Sequence, residues 1–382
     1  MAARHVLTLA AALLVPLGAL KAGWIAGLFA VLALAAAVLS WRRAVAALGG
    51  FPGRVFLVVV LWALATAPFA VDPAGAFALA GILIVTFLGV VLLLELPAET
   101  GPGFARALIA GYAVGAVLIA LDVFTGNWLF HTLRGNYDPA LVRWSAHNRA
   151  VDVMMLSTFV VMALLWRQGR RLGAFAAGLA MIAILVPAQS SSAKLAFLLA
   201  AIAAAATWRF GAMACRALAA LSALAVLVMP LALWLPVERI QALVPEAKIS
   251  ALHRFHIWRF AGERIAEHPW LGWGLDAARA IPGGAETSPV GGQMMALHPH
   301  NAGLQIWLEL GLVGALCGAW LMTALWRRIG AMPDALARAT AAATAAAAFA
   351  IAMLSFGLWQ GWWLATLGLV AVLTRAALHA RF

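Results

Sequence analysis

Long apolar runs separated by short polar gaps occupy almost the whole chain. A helix that crosses a bilayer needs about 20 mostly apolar residues, and the sequence contains about twelve such runs. They lie near 4–20, 22–41, 54–71, 75–94, 104–124, 147–166, 172–188, 194–210, 217–235, 301–325, 335–356 and 358–378. The pattern predicts an all-α polytopic integral membrane protein with about 12 transmembrane helices.

Polar residues collect in one long interval, 236–300, which we expect to form a large periplasmic loop carrying short helices. We find neither an internal repeat nor a soluble domain, so we expect residues 1–382 to form a single transmembrane domain. The N-terminus has the charged start and apolar core of a signal peptide. No clean small-x-small cleavage site follows, so we interpret this segment as a retained first helix.

Composition narrows the class further. The 382 residues are 65% hydrophobic and 10% charged, whereas soluble globular chains are about 25% charged. The two cysteines, Cys215 and Cys317, are expected to remain unpaired. A net charge of +12 could indicate nucleic-acid binding. In a membrane protein, however, it more often indicates contact with anionic lipid, so we expect membrane lipids and no nucleic acid as partners.

The positions of the basic residues predict the orientation. With the N-terminus inside, 15 of the 26 Lys and Arg residues lie at cytoplasmic ends of the predicted spans, as the positive-inside rule requires. These are Arg4, Arg42, Arg43, Arg54, Arg106, Arg167, Arg170, Arg171, Arg209, Arg216, Arg327, Arg328, Arg338, Arg375 and Arg381. We therefore expect both termini on the cytoplasmic side.

The other 11 basic residues lie on the outer side, and ten of them fall in the loops 125–149, 188–194 and 236–300. Positive charge held outside against the insertion bias suggests a bound anion. The alternative is ordinary loop solvation and ion pairing with the acidic residues of the same loops.

The stretch Leu252–Gly274, "LHRFHIWRFAGERIAEHPWLGWG", contains a helical period. Arg254 shares a stripe with Trp258 that should face the membrane domain, where a planar guanidinium would suit a diphosphate. A structural salt bridge of Arg254 is the alternative. Arg259 and Glu263 lie on another stripe, at the i,i+4 spacing of a solvated ion pair.

Two further segments bring polar groups to outer helix ends. In "AQSSSAKLAF", three serines precede Lys194 at a predicted helix N-terminus, which could bind an anion; Lys194 could instead extend to the interface. In "SAHNRAVD", Arg149 could contact substrate or pair with Asp152 at i,i+3. Arg143, in the same outer loop, is another candidate for substrate binding.

The stretch "LHPHNAGLQIWLELG" places His298, His300 and Asn301 just before an apolar helix. A neutral imidazole with a pKa near ~6.5 is a suitable general base for a hydroxyl, so we assign this role to His300. Alternatives are a helix cap, a proton relay or a metal ligand. The metal site would be shared with histidines 253, 256, 268 or 298. We expect Glu309 to brace a neighbouring helix, because it falls on the opposite helix face.

The ordered set "R-x-x-x-W" (Arg254, Trp258), "HPWLGWG" and "HN-x-x-L-Q-x-x-x-E-x-G" (His300–Gly311) resembles the O-antigen ligase and O-antigen polymerase superfamily. The helix number and the large loop before the tenth span are also similar. The resemblance implies transfer of a glycan from undecaprenyl diphosphate to a hydroxyl. For the ligases, the acceptor hydroxyl belongs to a sugar of the lipid A-core.

The resemblance also implies roles for individual residues. His300 would be the base, and Arg254 would hold the diphosphate. Lys194 lies where many members have arginine, a departure that removes the bidentate fork. We expect the surrounding residues Arg149, Arg143, Arg259, Asn301, His298 and Trp258 to contact substrate, and we expect neither a metal nor another cofactor.

The superfamily leaves the acceptor open. The single large loop and the short chain favour an inner-membrane ligase that attaches O-antigen to lipid A-core. A polymerase of O-antigen or exopolysaccharide is the first alternative, and a protein O-oligosaccharyltransferase is another. A lipid flippase would usually show charged or broken helices near mid-membrane, which are scarce in this sequence.

Overall fold

The computed structural model describes residues 2–98, 100–133, 147–243 and 249–380. These residues form helices and connecting turns, and their one isolated β-bridge joins Thr287 to Gln293. The helices are α1 (Ala2–Lys21), α2 (Trp24–Leu48), α3 (Phe51–Thr66), α4 (Pro73–Leu94), α5 (Pro102–Phe124), α6 (Trp128–Thr132), α7 (Asn148–Arg167), α8 (Arg171–Leu185), α9 (Ser191–Phe210), α10 (Ala212–Leu227), α11 (Val237–Leu243), α12 (Ile249–Glu267), α13 (Ala302–Gly330), α14 (Ala335–Leu354) and α15 (Gly361–Leu378).

Within the described ranges, nine helices are long and apolar enough to cross a membrane: α1, α2, α4, α5, α7, α9, α13, α14 and α15. Three shorter apolar helices, Phe56–Phe69, Arg171–Leu185 and Ala212–Leu227, lie where the sequence predicts further spans. The all-α polytopic class is therefore confirmed. The largest shift is at predicted span 217–235. There the helix ends at Leu227, and a 3-10 turn, Met229–Trp234, follows because Pro230 lacks the amide that would continue it.

Helix α7 lies at the centre of the bundle, and most of its residues are buried. It packs against α1, α5, α8, α14 and α15. The alanine-rich α14 packs closely on α9, where Ala343 and Ala347 share one buried cluster with Ala196 and Ala200. Small side chains let helix backbones approach, as the sequence predicts for this segment. Outward-facing side chains such as Val38 and Leu172 are 80% and 86% exposed, so the surface of the bundle is apolar as well.

The "HPWLGWG" segment after α12 docks on α13 through backbone hydrogen bonds. The Trp273 amide donates to the Leu308 carbonyl at 2.8 Å, and the Leu312 amide donates to the Pro269 carbonyl at 2.9 Å. Gly311 interrupts α13 there, with φ 60° and ψ −157°. That conformation is open essentially to glycine alone. A Cβ on Gly311 would also lie 2.3 Å from the Trp270 carbonyl oxygen. The contact positions the chain that leads to residues 298–301.

We expect Gly311→Ala to destabilise the protein by at least about 1–3 kcal/mol, because alanine is strained in this conformation and collides with Trp270. Thermal unfolding of the purified protein in detergent measures the loss. Gly23→Ala is the matched control, since Gly23 is helical at φ −58° and no atom lies within 4 Å of its added Cβ. Equal unfolding temperatures for Gly311→Ala and the wild type would contradict the docking role of Gly311.

Candidate active site

The turn His298–Asn301 sits at the N-terminus of α13. Asn301 caps the helix, since its Oδ1 accepts a hydrogen bond from the Leu304 amide at 2.9 Å. His300 therefore is not the cap, and its backbone adopts the left-handed region at φ 55°. The Trp258 indole of α12 donates to the Pro299 carbonyl at 2.9 Å. The turn is held from one side by its own helix and from the other by α12.

The imidazole of His300 is oriented by the chain that follows α14. Its Nδ1 lies 2.6 Å from the carbonyl oxygen of Ser355. A carbonyl only accepts, so Nδ1 carries the proton and the lone pair is on Nε2. No described residue forms a hydrogen bond to that Nε2. Burial lowers the pKa of His300, the Ser355 carbonyl opposes this, and the charges of Arg254 and His253 add to the lowering. The lowered pKa favours the neutral form of the His300 imidazole.

His298 lies beside His300, with ring centroids 4.3 Å apart. Its Nδ1 is 3.2 Å from the His300 amide, and its Nε2 is 3.0 Å from Nε2 of Gln360. Burial lowers its pKa to about 3, and His300, Arg279, Arg149 and Arg254 add smaller effects of the same sign. The lowered pKa favours an uncharged His298, and a neutral imidazole accepts a hydrogen bond at one nitrogen only. Both partners are N–H donors, so one of the two contacts is a hydrogen bond and the other is a close approach. Together they place His298 against the turn that carries His300.

Residues 355–360, between α14 and α15, contact both histidines through Ser355 and Gln360. This segment was not among the sites predicted from the sequence. Besides Ser355 and Gln360, the Leu358 amide donates to Oε1 of Gln305 in α13 at 2.8 Å. The Ser355 hydroxyl also donates to Ser192 at the start of α9 at 2.7 Å. The signal in the sequence was "SFGLWQGWW", where polar and aromatic side chains interrupt two apolar runs.

Three arginines from three separate elements are near enough to His298 for their charge to lower its pKa: Arg149 of α7, Arg254 of α12 and Arg279 of the 3-10 turn Ala277–Arg279. Arg254 is half-buried on the Trp258 side of α12, and burial lowers its pKa. The Arg149 guanidinium lies 5.3 Å from the centroid of Trp362. Positive charge close to two imidazoles of lowered pKa favours the binding of an anion in this region. Arg279 is also paired with Asp276 at 2.9 Å. No sequence motif singled out Arg279 as a site residue.

Two predicted site residues lie apart from the pair. Lys194 is exposed on α9, where its Nζ donates to the Val186 carbonyl at 3.1 Å. Its link to the pocket is indirect, through the neighbouring Ser192. Arg259 pairs with Glu238 and Glu263, the solvated arrangement that its stripe predicts. Their functional roles remain predictions, and Arg143 lies outside the described residues.

The alternative pairing of Arg149 with Asp152 is not formed. Asp152 is fully buried in α7, and neither of its carboxylate oxygens accepts a hydrogen bond from a described residue. Within the described ranges, no group of three or more His, Cys, Asp or Glu side chains is placed to hold one metal ion.

Glu309 is a buried anchor one helix face away from the site. Its Oε2 accepts from the Asp276 amide at 2.8 Å and from the Trp359 indole at 2.6 Å, and its Oε1 accepts from Gln305 at 3.0 Å. One carboxylate thus ties α13 to the segment after "HPWLGWG" and to residues 355–360. The sequence analysis expects Glu309 to brace a neighbouring helix; in the structure it braces two connecting segments instead, because their Asp276 amide and Trp359 indole supply the donors.

We expect Glu309→Leu to lower the free energy of unfolding by about 2–5 kcal/mol, because three donors lose their buried acceptor. Chemical or thermal unfolding in detergent measures the change. The control is Glu263→Leu, which removes an exposed carboxylate from a surface ion pair with Arg259 and should change stability little. Similar losses from both substitutions would show that Glu309 does not anchor these segments.

Comparisons with known proteins identify chains that are similar in sequence. Residues 176–319 match the family model described as O-antigen ligase. A Rickettsia bellii protein named as a candidate polysaccharide ligase is 25% identical over 329 residues, which are 80% of this chain and 75% of that protein. Similarly named proteins match over shorter stretches. The Rickettsia conorii protein is 33% identical over 31% of this chain and 29% of its own length. The Rickettsia prowazekii protein is 33% identical over 30% of this chain and 29% of its own length.

The matched segment runs from α8 into α13 and contains Lys194, Arg254, Trp258, His298 and His300. The resemblance stated from the sequence is thus confirmed: residues 176–319 are similar to the O-antigen ligase family. Arg149 and the connection 355–360 lie outside the matched segment, although they contact the same histidine turn through Trp362, Gln360 and Ser355.

Proposed function

We propose that this protein is a membrane glycosyltransferase of the ligase type, which moves O-antigen polysaccharide from undecaprenyl diphosphate to a sugar hydroxyl of lipid A-core. The observation that supports the proposal most strongly is the hydrogen bond that orients the His300 imidazole. Its Nδ1 is committed to the Ser355 carbonyl, so the lone pair on Nε2 is available beside Arg254. A neutral base next to the Arg254 guanidinium suits a hydroxyl acceptor and a phosphorylated leaving group.

In the proposed reaction, Nε2 of His300 takes the proton of the acceptor hydroxyl while that oxygen attacks the anomeric carbon. The bond between the anomeric carbon and the diphosphate oxygen breaks, and undecaprenyl diphosphate leaves with the electron pair. Attack opposite the leaving group inverts the anomeric centre. The leaving group is already an anion, so cations can stabilise its departure without a general acid.

Arg254 and Arg149 are the residues we propose to hold the diphosphate. Arg254 offers a planar fork of donors that fits two phosphate oxygens, and burial limits the water that competes for it. Arg149 is oriented by Trp362, whose indole donates to Gln360 at 2.8 Å. Lys194 would act only through the α9 N-terminus, because its amine is bound to the Val186 carbonyl in this structure.

We place this site on the periplasmic side of the bacterial inner membrane, with both termini in the cytoplasm. The distribution of arginines along the chain supports that orientation. The lipid-linked donor and the lipid A-core acceptor would then reach the histidine turn from the outer leaflet. The segment 236–300 would form the loop above it.

We expect His300→Asn to reduce transfer by about 100- to 10,000-fold, because asparagine cannot accept the acceptor's proton. Asparagine tolerates the positive φ of this position better than alanine, so the variant separates lost chemistry from lost folding. Transfer is measured with purified protein, undecaprenyl-diphosphate-linked glycan and lipid A-core. The control is His379→Asn at the exposed end of α15, and wild-type rates for His300→Asn would refute the base assignment.

The pH dependence should follow from the lowered pKa of His300. Only the neutral imidazole can take a proton, so kcat/KM should be constant near neutral pH. It should fall in acid with a midpoint below the ordinary 6.5. A kcat/KM profile of the purified wild type tests this expectation. A midpoint above 6.5 would contradict the environment described for His300.

A strain that lacks this protein separates ligase from polymerase. We expect bare lipid A-core together with long glycans that remain on the lipid carrier. Electrophoresis of lipopolysaccharide and analysis of the carrier lipids measure both. Single repeats attached to the core would instead identify a polymerase, and donor retained on the cytoplasmic side would identify a flippase.

A further inference from the structure

A second cavity lies at the opposite end of α13 from the histidine turn. It has a volume of about 610 Å³ and is bounded by the N-terminal half of α10 and the last turns of α13. The 29 residues of α13 separate the two sites by about 40 Å at 1.5 Å per residue. This end carries the arginines that the sequence predicts on the cytoplasmic side, so the cavity would open at the inner leaflet.

Two arginines line the cavity, Arg216 from α10 and Arg327 from α13. Neither forms an ion pair with any described carboxylate, and the lining stretches 212–220 and 323–331 contain no Asp or Glu. The nearby Asp334 is already paired with Arg167 of α7. The positive charge at this cavity therefore has no counter-ion from the described protein.

The α10 N-terminus adds to the same positive potential. Its first residue, Ala212, lines the cavity, and the preceding Gly211 provides no side-chain cap. The first amides of a helix lack intrahelical acceptors and attract anions, phosphates in particular. Arg338 lies close to Gly211 but does not line the cavity, and its guanidinium donates to the carbonyls of Thr207 and Met332 at 3.1 and 2.8 Å.

The rest of the wall is apolar and fixed. Trp326 is buried, and its indole donates to Ser222 of α10 at 3.0 Å, which joins the two helices behind the cavity. Ala219 and Ala220 continue the surface along α10. A ligand that fits must combine a phosphate at the arginines with apolar chains along the helices. Free phosphate would leave this wall uncovered.

We propose that this cavity binds the phosphate headgroup of an anionic phospholipid of the inner leaflet. Arg216, Arg327 and the α10 amides hold the phosphate, and the acyl chains lie against α10 and α13. Basic pockets between transmembrane helices bind such headgroups in other membrane proteins. The bound lipid would fill the gap between α10 and α13. The histidine turn precedes the other end of α13.

The test is native mass spectrometry of the purified, delipidated protein titrated with cardiolipin. Each lost charged hydrogen bond weakens binding by about tenfold, so the Arg216→Gln/Arg327→Gln variant should lose one tight binding event. The control is Arg43→Gln/Arg170→Gln, which removes the same charge from exposed positions on the same predicted side. The control should bind cardiolipin as the wild type does.

Equal loss in both double variants would overturn the proposal, because it would reduce the effect to net surface charge. Unchanged binding in the cavity variant would overturn it as well. A parallel titration with inorganic phosphate distinguishes a free anion from a lipid. Full displacement of cardiolipin by millimolar phosphate would contradict the contribution of the apolar wall, whereas retention of the lipid supports it.

Discussion

The Ser355 carbonyl and Nδ1 of His300 are 2.6 Å apart, and the protonation state of the whole site depends on that contact. A neutral imidazole has one proton, and a carbonyl oxygen can only accept it, so the lone pair must face the other way. Burial, with the charges of Arg254 and His253, lowers the pKa of His300 and so disfavours a second proton. Arg254, which we propose to hold the anionic donor, therefore also favours the neutral form of His300.

Holding that contact requires several segments to meet at one point. Asn301 ends the turn by capping α13, Trp258 holds Pro299, and residues 355–360 supply Ser355 and Gln360. Glu309, one face away, binds the last of these segments to α13. The break at Gly311 lets the "HPWLGWG" segment reach the α13 backbone. The site is thus built from parts of the chain that are distant in sequence and joined by buried hydrogen bonds.

The sequence predicted the all-α class and the spans because apolar periodicity is local information. The inward placement of Arg254 beside Trp258 and the bracing by Glu309 could also be predicted from helical spacing. The direction of the Lys194 side chain could not be predicted from spacing, because a long flexible side chain is oriented by its partner, here the Val186 carbonyl. The contact of Ser355 with His300 could not be found from spacing, because it uses a backbone carbonyl of a loop. Backbone donors and acceptors leave no signature in the side-chain pattern.

A structure with undecaprenyl diphosphate bound is the most direct test of the site. We expect the diphosphate oxygens within hydrogen-bonding distance of Arg254 and on the Arg149 side of the pocket, with Nε2 of His300 facing the position of the transferred sugar. The Nδ1 contact to Ser355 should persist. A diphosphate bound away from Arg254, or a His300 that turns Nε2 toward Ser355, would contradict the assignment of His300 as the base.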